Sequence, residues 1–311
     1  MFALLIITGC QGCGGCHGDL SDDNSNDPMD TAVLDSGIVD SAQPVDTAEL
    51  LPCAVPEIEP NNTPGTAQVL PMEEWACGGL YEEGDFDTFQ FDLETSGWVK
   101  VWARGADIGS SANLQITLDD ASYDYTTLAA ASPDSPDPVL LFPAEAPNRF
   151  YVTVSDQWYG HGEDYVWELL VSEAKQPLLW EANEAEPNDG KQDGTPIYDG
   201  DRIYGVIETG SDADWYVFDM PDTQTTLTAT IEAWNYGSPL SAQVGLYSPD
   251  NTLISLQMRG EDTLDLDPLM VETLNAAGEW GLKITPENDT GGGVTYWYVL
   301  EVSLDTEVSA P

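Results

Sequence analysis

An internal repeat limits the possible folds more than any other feature of the chain. Glu57-Ile58-Glu59-Pro60-Asn61-Asn62 returns 127 residues later as Glu184-Ala185-Glu186-Pro187-Asn188-Asp189. The same offset carries Gly78 onto Gly205 and Leu80 onto Ile207. It also carries Asp85-Phe86-Asp87-Thr88-Phe89-Gln90-Phe91 onto Asp212-Ala213-Asp214-Trp215-Tyr216-Val217-Phe218, with no gap across 35 positions. Farther on, residues 164–172 match 295–303 with the offset at 131. Two copies of one unit of about 120 residues therefore account for nearly everything after residue 52.

Each copy has the period of a half-buried strand. Phe89, Phe91 and Leu93 alternate with Thr88, Gln90 and Asp92, and Tyr216, Phe218 and Met220 repeat that face. Leu227, Ala229, Ile231 and Ala233 alternate with Thr226, Thr228, Thr230 and Glu232. Further strands are expected near 98–103, 113–118, 150–154, 243–247 and 281–284, with turns at Ser132-Pro133-Asp134 and Ser248-Pro249-Asp250-Asn251. Seven or eight short strands per copy at this spacing predict an all-β protein, two tandem β-sandwich (jelly-roll-like) domains after a disordered acidic tether.

Charge decides what such a surface can meet. The chain has 56 Asp and Glu against 8 Lys and Arg, a net charge of −48. Phosphate backbones and anionic lipid headgroups repel it, which excludes nucleic acid as a partner, whereas cations are attracted. Residues 17–52 hold nine acids, no Lys or Arg and little to bury, and read as a self-repelling disordered linker. Before them, Phe2-Ala3-Leu4-Leu5-Ile6-Ile7 leads to Thr8-Gly9-Cys10. That short apolar run, two small residues and a cysteine are similar to a bacterial lipobox, with Cys10 as the lipid anchor. The boundaries expected are 1–16 for this segment, 17–52 for the linker, 53–174 and 184–304 for the modules, 175–183 between them, and 305–311 as a disordered tail.

If Cys10 takes lipid, four of the five cysteines remain, and in an exported protein Cys53 can pair with Cys77. Cys13-Gly14-Gly15-Cys16-His17 spells a c-type haem attachment pattern, but the acidic stretch around it supplies no apolar pocket. A linker disulfide or two free thiols is the plainer reading.

Together, the E-x-E-P-N-[DN] motif, the glycine before an apolar residue, and D-x-D followed by alternating aromatics resemble the bacterial pre-peptidase C-terminal domain family. The collagen-binding domains of bacterial collagenases are its relatives. The resemblance spans roughly residues 53–174 and 180–304. It implies a β-sandwich appended to secreted proteins, often proteases, some members of which bind calcium through this acidic segment.

Elementary electrostatics points the same way. Glu57, Glu59 and Asn61 are spaced by two, so an extended backbone sends their side chains to one side, and Pro60 biases Glu59 towards that backbone. Asp85 and Asp87 share the spacing. If the two segments meet, each carboxylate pair at about 5 Å repels by roughly 3 kcal/mol at an effective dielectric of 20. Oxygen donors without His or Cys select a hard cation such as calcium. The candidate ligands are Glu57, Glu59, Asn61, Asn62, Asp85 and Asp87, and in the second copy Glu184, Glu186, Asn188, Asp189, Asp212 and Asp214. Asp189 stands where the first copy has Asn62, and on charge alone the second site is expected to bind more tightly. Asp22-Asp23-Asn24-Ser25-Asn26 starts like an EF-hand, but Asp27 and Val33 occupy the positions of its Gly and Glu.

For catalysis the sequence offers little. Its two histidines are His17 and His161, and no nucleophile elbow, P-loop, zinc helix motif or dinucleotide fingerprint is present. The ten Trp and thirteen Tyr exceed the evident needs of two cores. Trp158-Tyr159, in a loop beside His161, is a possible ligand-binding pair for sugar rings or an extended protein. The expectation is a non-catalytic, calcium-stabilised lipoprotein of the outer membrane or cell surface, or a secreted protein. Such a protein would touch the membrane only through its lipid and would bind an extracellular protein or polysaccharide. The alternatives are a carbohydrate-binding module, an acidic spacer, or an accessory subunit of a secreted protease.

Overall fold

The computed structural model describes residues 53–121, 126–130, 136–221, 224–258, 267–287 and 291–306. Outside these lie the export-like segment with Cys10, Cys13 and Cys16, the acidic linker with His17, the 132–134 turn and the tail beyond 306. The first copy forms β1 (Val55–Pro56), β2 (Gln68–Val69), β3 (Trp75–Gly79), β4 (Asp87–Leu93), β5 (Gly97–Arg104), β6 (Leu114–Asp120), β7 (Thr126–Ala130), β8 (Val139–Ala144), β9 (Asn148–Asp156) and β10 (Val166–Ala174). The second forms β11 (Ala182–Asn183), β12 (Thr195–Pro196), β13 (Arg202–Val206), β14 (Asp214–Met220), β15 (Thr225–Glu232), β16 (Ala242–Tyr247), β17 (Leu253–Met258), β18 (Leu269–Leu274), β19 (Gly278–Pro286) and β20 (Trp297–Thr306).

Each copy is two facing five-stranded sheets. The first has orders β1-β3-β10-β5-β8 and β2-β4-β9-β6-β7, and the second repeats them as β11-β13-β20-β15-β18 and β12-β14-β19-β16-β17. The protein is all-β, and among the described residues the only helical turns are short 3₁₀ turns. No helix of these residues is long and apolar enough to cross a membrane. Strand faces follow the alternation in sequence: Val99, Val101 and Ala103 of β5, Leu114, Ile116 and Leu118 of β6, and Leu227, Ala229 and Ile231 of β15 are buried.

Three details depart from the sequence expectation. Among the described residues each copy has ten strands, not seven or eight, because two-residue strands pair parallel with β3, β4, β13 and β14. β11 lies within the stretch expected to be a linker, since Ala182 and Asn183 find partners in Ile203 and Tyr204. β20 runs two residues into the expected disordered tail, because Thr226 and Thr225 face Asp305 and Thr306 across the ladder.

The short first strand of each copy leads into the acidic motif, and each is pinned at one equivalent place. Cys53 and Cys77 form a disulfide with their Cα atoms 5.8 Å apart, beside the pairing of β1 with β3. The 127-residue offset puts Trp180 and Tyr204 at these positions, where their rings stack with centroids 4.6 Å apart. One copy uses a covalent staple and the other an aromatic stack.

The two sandwiches share buried side chains. Trp297 of β20, fully buried, belongs to the hydrophobic core of the first copy and meets Trp98 edge-on at 5.1 Å. Its indole N–H donates to the Leu141 carbonyl at 2.5 Å. The Leu141 amide donates to the carbonyl of Gly237 at 2.9 Å, which closes the 3₁₀ turn Trp234–Tyr236. Part of the aromatic excess noted in the sequence thus sits at this junction.

Candidate metal centres

The acidic motif leaves β1 along the edge of β3. The Glu57 amide donates to the Cys77 carbonyl at 2.9 Å, and its carboxylate turns back to accept the Gly79 amide at 3.0 Å. Glu59 Oε2 accepts the Asn61 amide at 2.8 Å, and the Asn61 carbonyl accepts the Thr88 amide at 3.0 Å. The motif is thereby fastened to the start of β4, where Asp87 lies. Glu57, Glu59 and Asp87 each place one oxygen within 4.8 Å of the others. Gly78 faces this cluster, and a Cβ there would collide with Glu57 Oε2 and the Trp167 ring.

The second copy repeats the frame almost atom for atom. Glu184 Oε1 accepts the Val206 amide at 2.6 Å, Glu186 Oε2 the Asn188 amide at 3.0 Å, and the Asn188 carbonyl the Trp215 amide at 3.0 Å. Glu184, Glu186 and Asp214 converge within the same 4.8 Å. The remaining candidates sit at the rim. Asp85 accepts the Tyr81 amide and Asp212 the Glu208 amide, at 2.8 and 2.6 Å. Asn62 is exposed and lines an open cleft of about 450 Å³ with Glu59, Glu82, Glu83 and Asp85. Asp189 lies against Asp212.

The cores of the two clusters are shut off from the surface. Asn61, Asp87, Asn188 and Asp214 are all fully buried. Burial first, then the neighbouring Glu57, pushes Asp87 up to about 10; burial and Glu184 do the same to Asp214. Glu59, Glu184, Glu186 and Asp212 are also raised, chiefly by burial. In the first copy, Glu57 Oε1, Asp87 Oδ1 and both amide atoms of Asn61 are buried without a hydrogen-bond partner. A native interior rarely leaves such atoms bare. In the second copy the Asn188 amide oxygen faces Asp214 Oδ1 at 3.3 Å and Glu186 Oε1 at 3.2 Å; turned over, its nitrogen donates to both. Without a cation the nitrogen belongs there, and around a cation the oxygen does. An all-oxygen donor set of this kind, with its Asn and Asp buried and Glu59 or Glu186 open to solvent, fits a calcium ion.

Sequence reasoning missed the aromatic donors behind the clusters. Trp167 Nε1 donates to Asp87 Oδ2 at 2.5 Å. Its counterpart Tyr298 donates to Asp214 Oδ2 at the same distance. Tyr216, which replaces Phe89, adds a hydroxyl 3.0 Å from Glu184 Oε2 and 2.7 Å from the Tyr298 hydroxyl. The available signal was the exchange of ring types at matched positions of the repeat, Phe89 for Tyr216 and Trp167 for Tyr298.

Next to the first cluster, where the Gly162 amide donates to the Leu80 carbonyl at 2.8 Å, the Trp158-Tyr159 loop is built to display its rings. Asp156, only 4% exposed, accepts amides from Asn113, Trp158 and Gly160 at 2.7, 2.8 and 2.7 Å. That knot holds Tyr159 at a φ of 59°, a left-handed conformation uncommon for an aromatic residue. Trp158 and Tyr159 stand 75% and 68% exposed. His161 contacts the Tyr159 carbonyl at 3.3 Å through Nδ1.

No family model and no curated protein matches the chain. Among solved structures it is similar to the pre-peptidase C-terminal domain of collagenase from Bacillus anthracis, at 18% identity, 36% of this chain, 99% of that one and a TM-score of 0.29. It is also similar to tandem CBM51 modules of a family 98 glycoside hydrolase from Streptococcus pneumoniae, at 7% identity, 73% of this chain, 82% of that one and a TM-score of 0.21. A third is the M60 catalytic domain with two CBM51 domains of Clostridium perfringens ZmpB, at 8% identity, 73% of this chain and a TM-score of 0.22; the match spans 36% of that chain. The likeness extends to the β-sandwich and no further.

Proposed function

We propose that the chain is a non-catalytic, calcium-stabilised binding protein of the cell envelope, lipid-anchored through Cys10 or secreted. Its sandwiches hold the Trp158-Tyr159 loop out to an extracellular protein or polysaccharide. The calcium part rests on one observation above all: Asn61 is fully buried beside carboxylates with both amide atoms unpartnered. An oxygen-seeking cation gives its carbonyl and the bare carboxylate oxygens a common partner. The ligands would be Glu57, Glu59, Asn61 and Asp87, with Asp85 and Asn62 at the rim, and the six matched residues of the second copy. The ion would neutralise buried charge and fasten the acidic motif to β4 or β14.

The binding part rests on two large aromatic side chains that a buried aspartate holds in solvent at the cost of backbone strain. Flat exposed rings suit sugar faces or the apolar side chains of an extended protein. Export suits the Cys53–Cys77 disulfide, a bond that persists in oxidising compartments. His161 touches a backbone carbonyl rather than a nucleophile, which favours binding over hydrolysis.

Thermal melting of the full chain with and without calcium, followed by binding to glycan and collagen arrays, tests both parts. Calcium should raise the melting temperature. Trp158→Ala should leave melting unchanged and weaken array binding about tenfold or more. A melting temperature indifferent to calcium would remove the metal reading, and unchanged binding by Trp158→Ala would remove the loop.

A further inference from the structure

The two acidic clusters share a backbone frame but treat their buried oxygens differently. In the first, the side-chain donors number one: the Trp167 indole on Asp87 Oδ2. Phe89 lies at the position of Tyr216 and has no hydroxyl to offer. Glu57 Oε1, Asp87 Oδ1 and the Asn61 amide stay bare. In the second, two buried hydroxyls serve the carboxylates. Tyr298 reaches Asp214 Oδ2 at 2.5 Å, and Tyr216 reaches Glu184 Oε2 at 3.0 Å, with Tyr298 3.2 Å from that same oxygen. Glu184 Oε1 is taken by the Val206 amide, and the Asn188 amide nitrogen serves Glu184 Oε2 at 3.4 Å or, turned over, Asp214 and Glu186. Among the described residues, no carboxylate oxygen of this cluster is buried without a partner.

Resting on the calcium reading above, we propose that the two sites are not equivalent: the first closes only around a cation, and the second can stand empty and takes calcium more weakly. A cation entering the first cluster finds bare oxygens and breaks no hydrogen bond to them. In the second, both Glu184 oxygens already accept hydrogen bonds, so an ion there shares them with the Val206 amide and the Tyr216 hydroxyl, and each such bond it breaks costs about tenfold or more in affinity. The extra charge of Asp189 acts in the other direction. Asp189 is exposed, however, and an exposed charge contributes less than about fivefold. The order expected from counting charges is therefore reversed.

The anchoring of each motif agrees. A disulfide holds the strand leading to Glu57 and Glu59, whereas the strand leading to Glu184 and Glu186 is held by the stack of Trp180 on Tyr204. The first motif is covalently preorganised, so its ion meets a smaller ordering cost. Ambient calcium would then set the state of the second sandwich while the first stays loaded.

The test is calorimetric titration of the chelator-stripped full chain with calcium chloride. Two phases should appear, separated by at least about tenfold in affinity. Glu59→Gln should remove the tight phase and leave the weak one; Glu186→Gln should do the opposite. Tyr216→Phe introduces the ring the first copy already carries at Phe89, so the chain should fold, as circular dichroism would verify. It should tighten the weak phase several-fold and leave the tight one in place. A single affinity for both sites, a tight phase that disappears with Glu186→Gln, or weaker binding by Tyr216→Phe would overturn the inequivalence while sparing calcium itself. No uptake of calcium at millimolar concentration would remove the calcium reading and this proposal together.

Discussion

Gly78 shows how little room the first cluster has. Its missing side chain leaves space for both the Glu57 carboxylate and the Trp167 ring, and a methyl group there would strike both. Gly78→Ala should destabilise the chain by about 1–3 kcal/mol through overpacking, read by urea denaturation, and should lower calcium uptake in step. Conservative exchanges at surface glycines such as Gly97, which faces open space, should be close to neutral in the same assay. On the proposed calcium reading, protons and the ion compete for the same oxygens. Burial pushes Asp87 and Asp214 up to about 10, far above the ordinary carboxyl value of about 3.9. A carboxyl raised by folding stabilises most when protonated in both states, below its unfolded value. That contribution is lost as pH rises towards the folded value. The chelator-treated protein should therefore melt lower at pH 8 than at pH 5, with a shallower slope in Asp87→Asn, while calcium should flatten the dependence. A metal-free melting temperature that rises over this interval would contradict the burial argument.

Strands explain why the acidic motifs can work at all. β1 has two residues, too few to hold itself, yet it must aim Glu57 and Glu59 at β4. The Cys53–Cys77 bond supplies the constraint by closing a 24-residue span, worth about 3 kcal/mol in the chain-entropy model. Cys53→Ser with Cys77→Ser should cost about that much in denaturant titration and should weaken the tight calcium phase while leaving the weak one intact. At the same end of the first sandwich, where Val154 pairs with Asp87, Asp156 organises the loop after β9. Asp156→Ala would strand three backbone amides and should cost about 2–4 kcal/mol by the same measurement, with reduced ligand binding as the Trp158 and Tyr159 rings lose their fixed pose. Both predictions concern how a short segment is pinned rather than which residues it carries.

In the whole molecule, the sandwiches are coupled by the aromatic junction. Trp297 lies in the core of the first copy though its strand belongs to the second, and it bonds to Leu141 across the boundary. Trp297→Ala should destabilise by about 3–5 kcal/mol and split one calorimetric unfolding transition into two. Two transitions already present in the wild-type chain would show the junction to be thermodynamically unimportant. Gly237 is part of the same contact: a Cβ there would come within 2.9 Å of Leu141 Cβ at a backbone φ of 90°, so only glycine lets the turn meet the β8 edge.

The all-β architecture and the duplication could be read along the chain, since strand period and repeat spacing are consequences of local backbone geometry. Glu57 and Glu59 were legible as ligand candidates because an extended backbone turns alternate side chains the same way. The partners of those oxygens were not legible. Trp167 reaches Asp87 from 80 positions away, and Tyr298 reaches Asp214 from 84. Such meetings depend on which strand lies opposite which after two sheets pack, and no local period encodes that. The same holds for Trp297, whose hydrophobic, alternating surroundings fit a strand in either sandwich. Only packing decided that it would fill its neighbour's core and that two clusters of nearly identical composition would differ in the donors behind them.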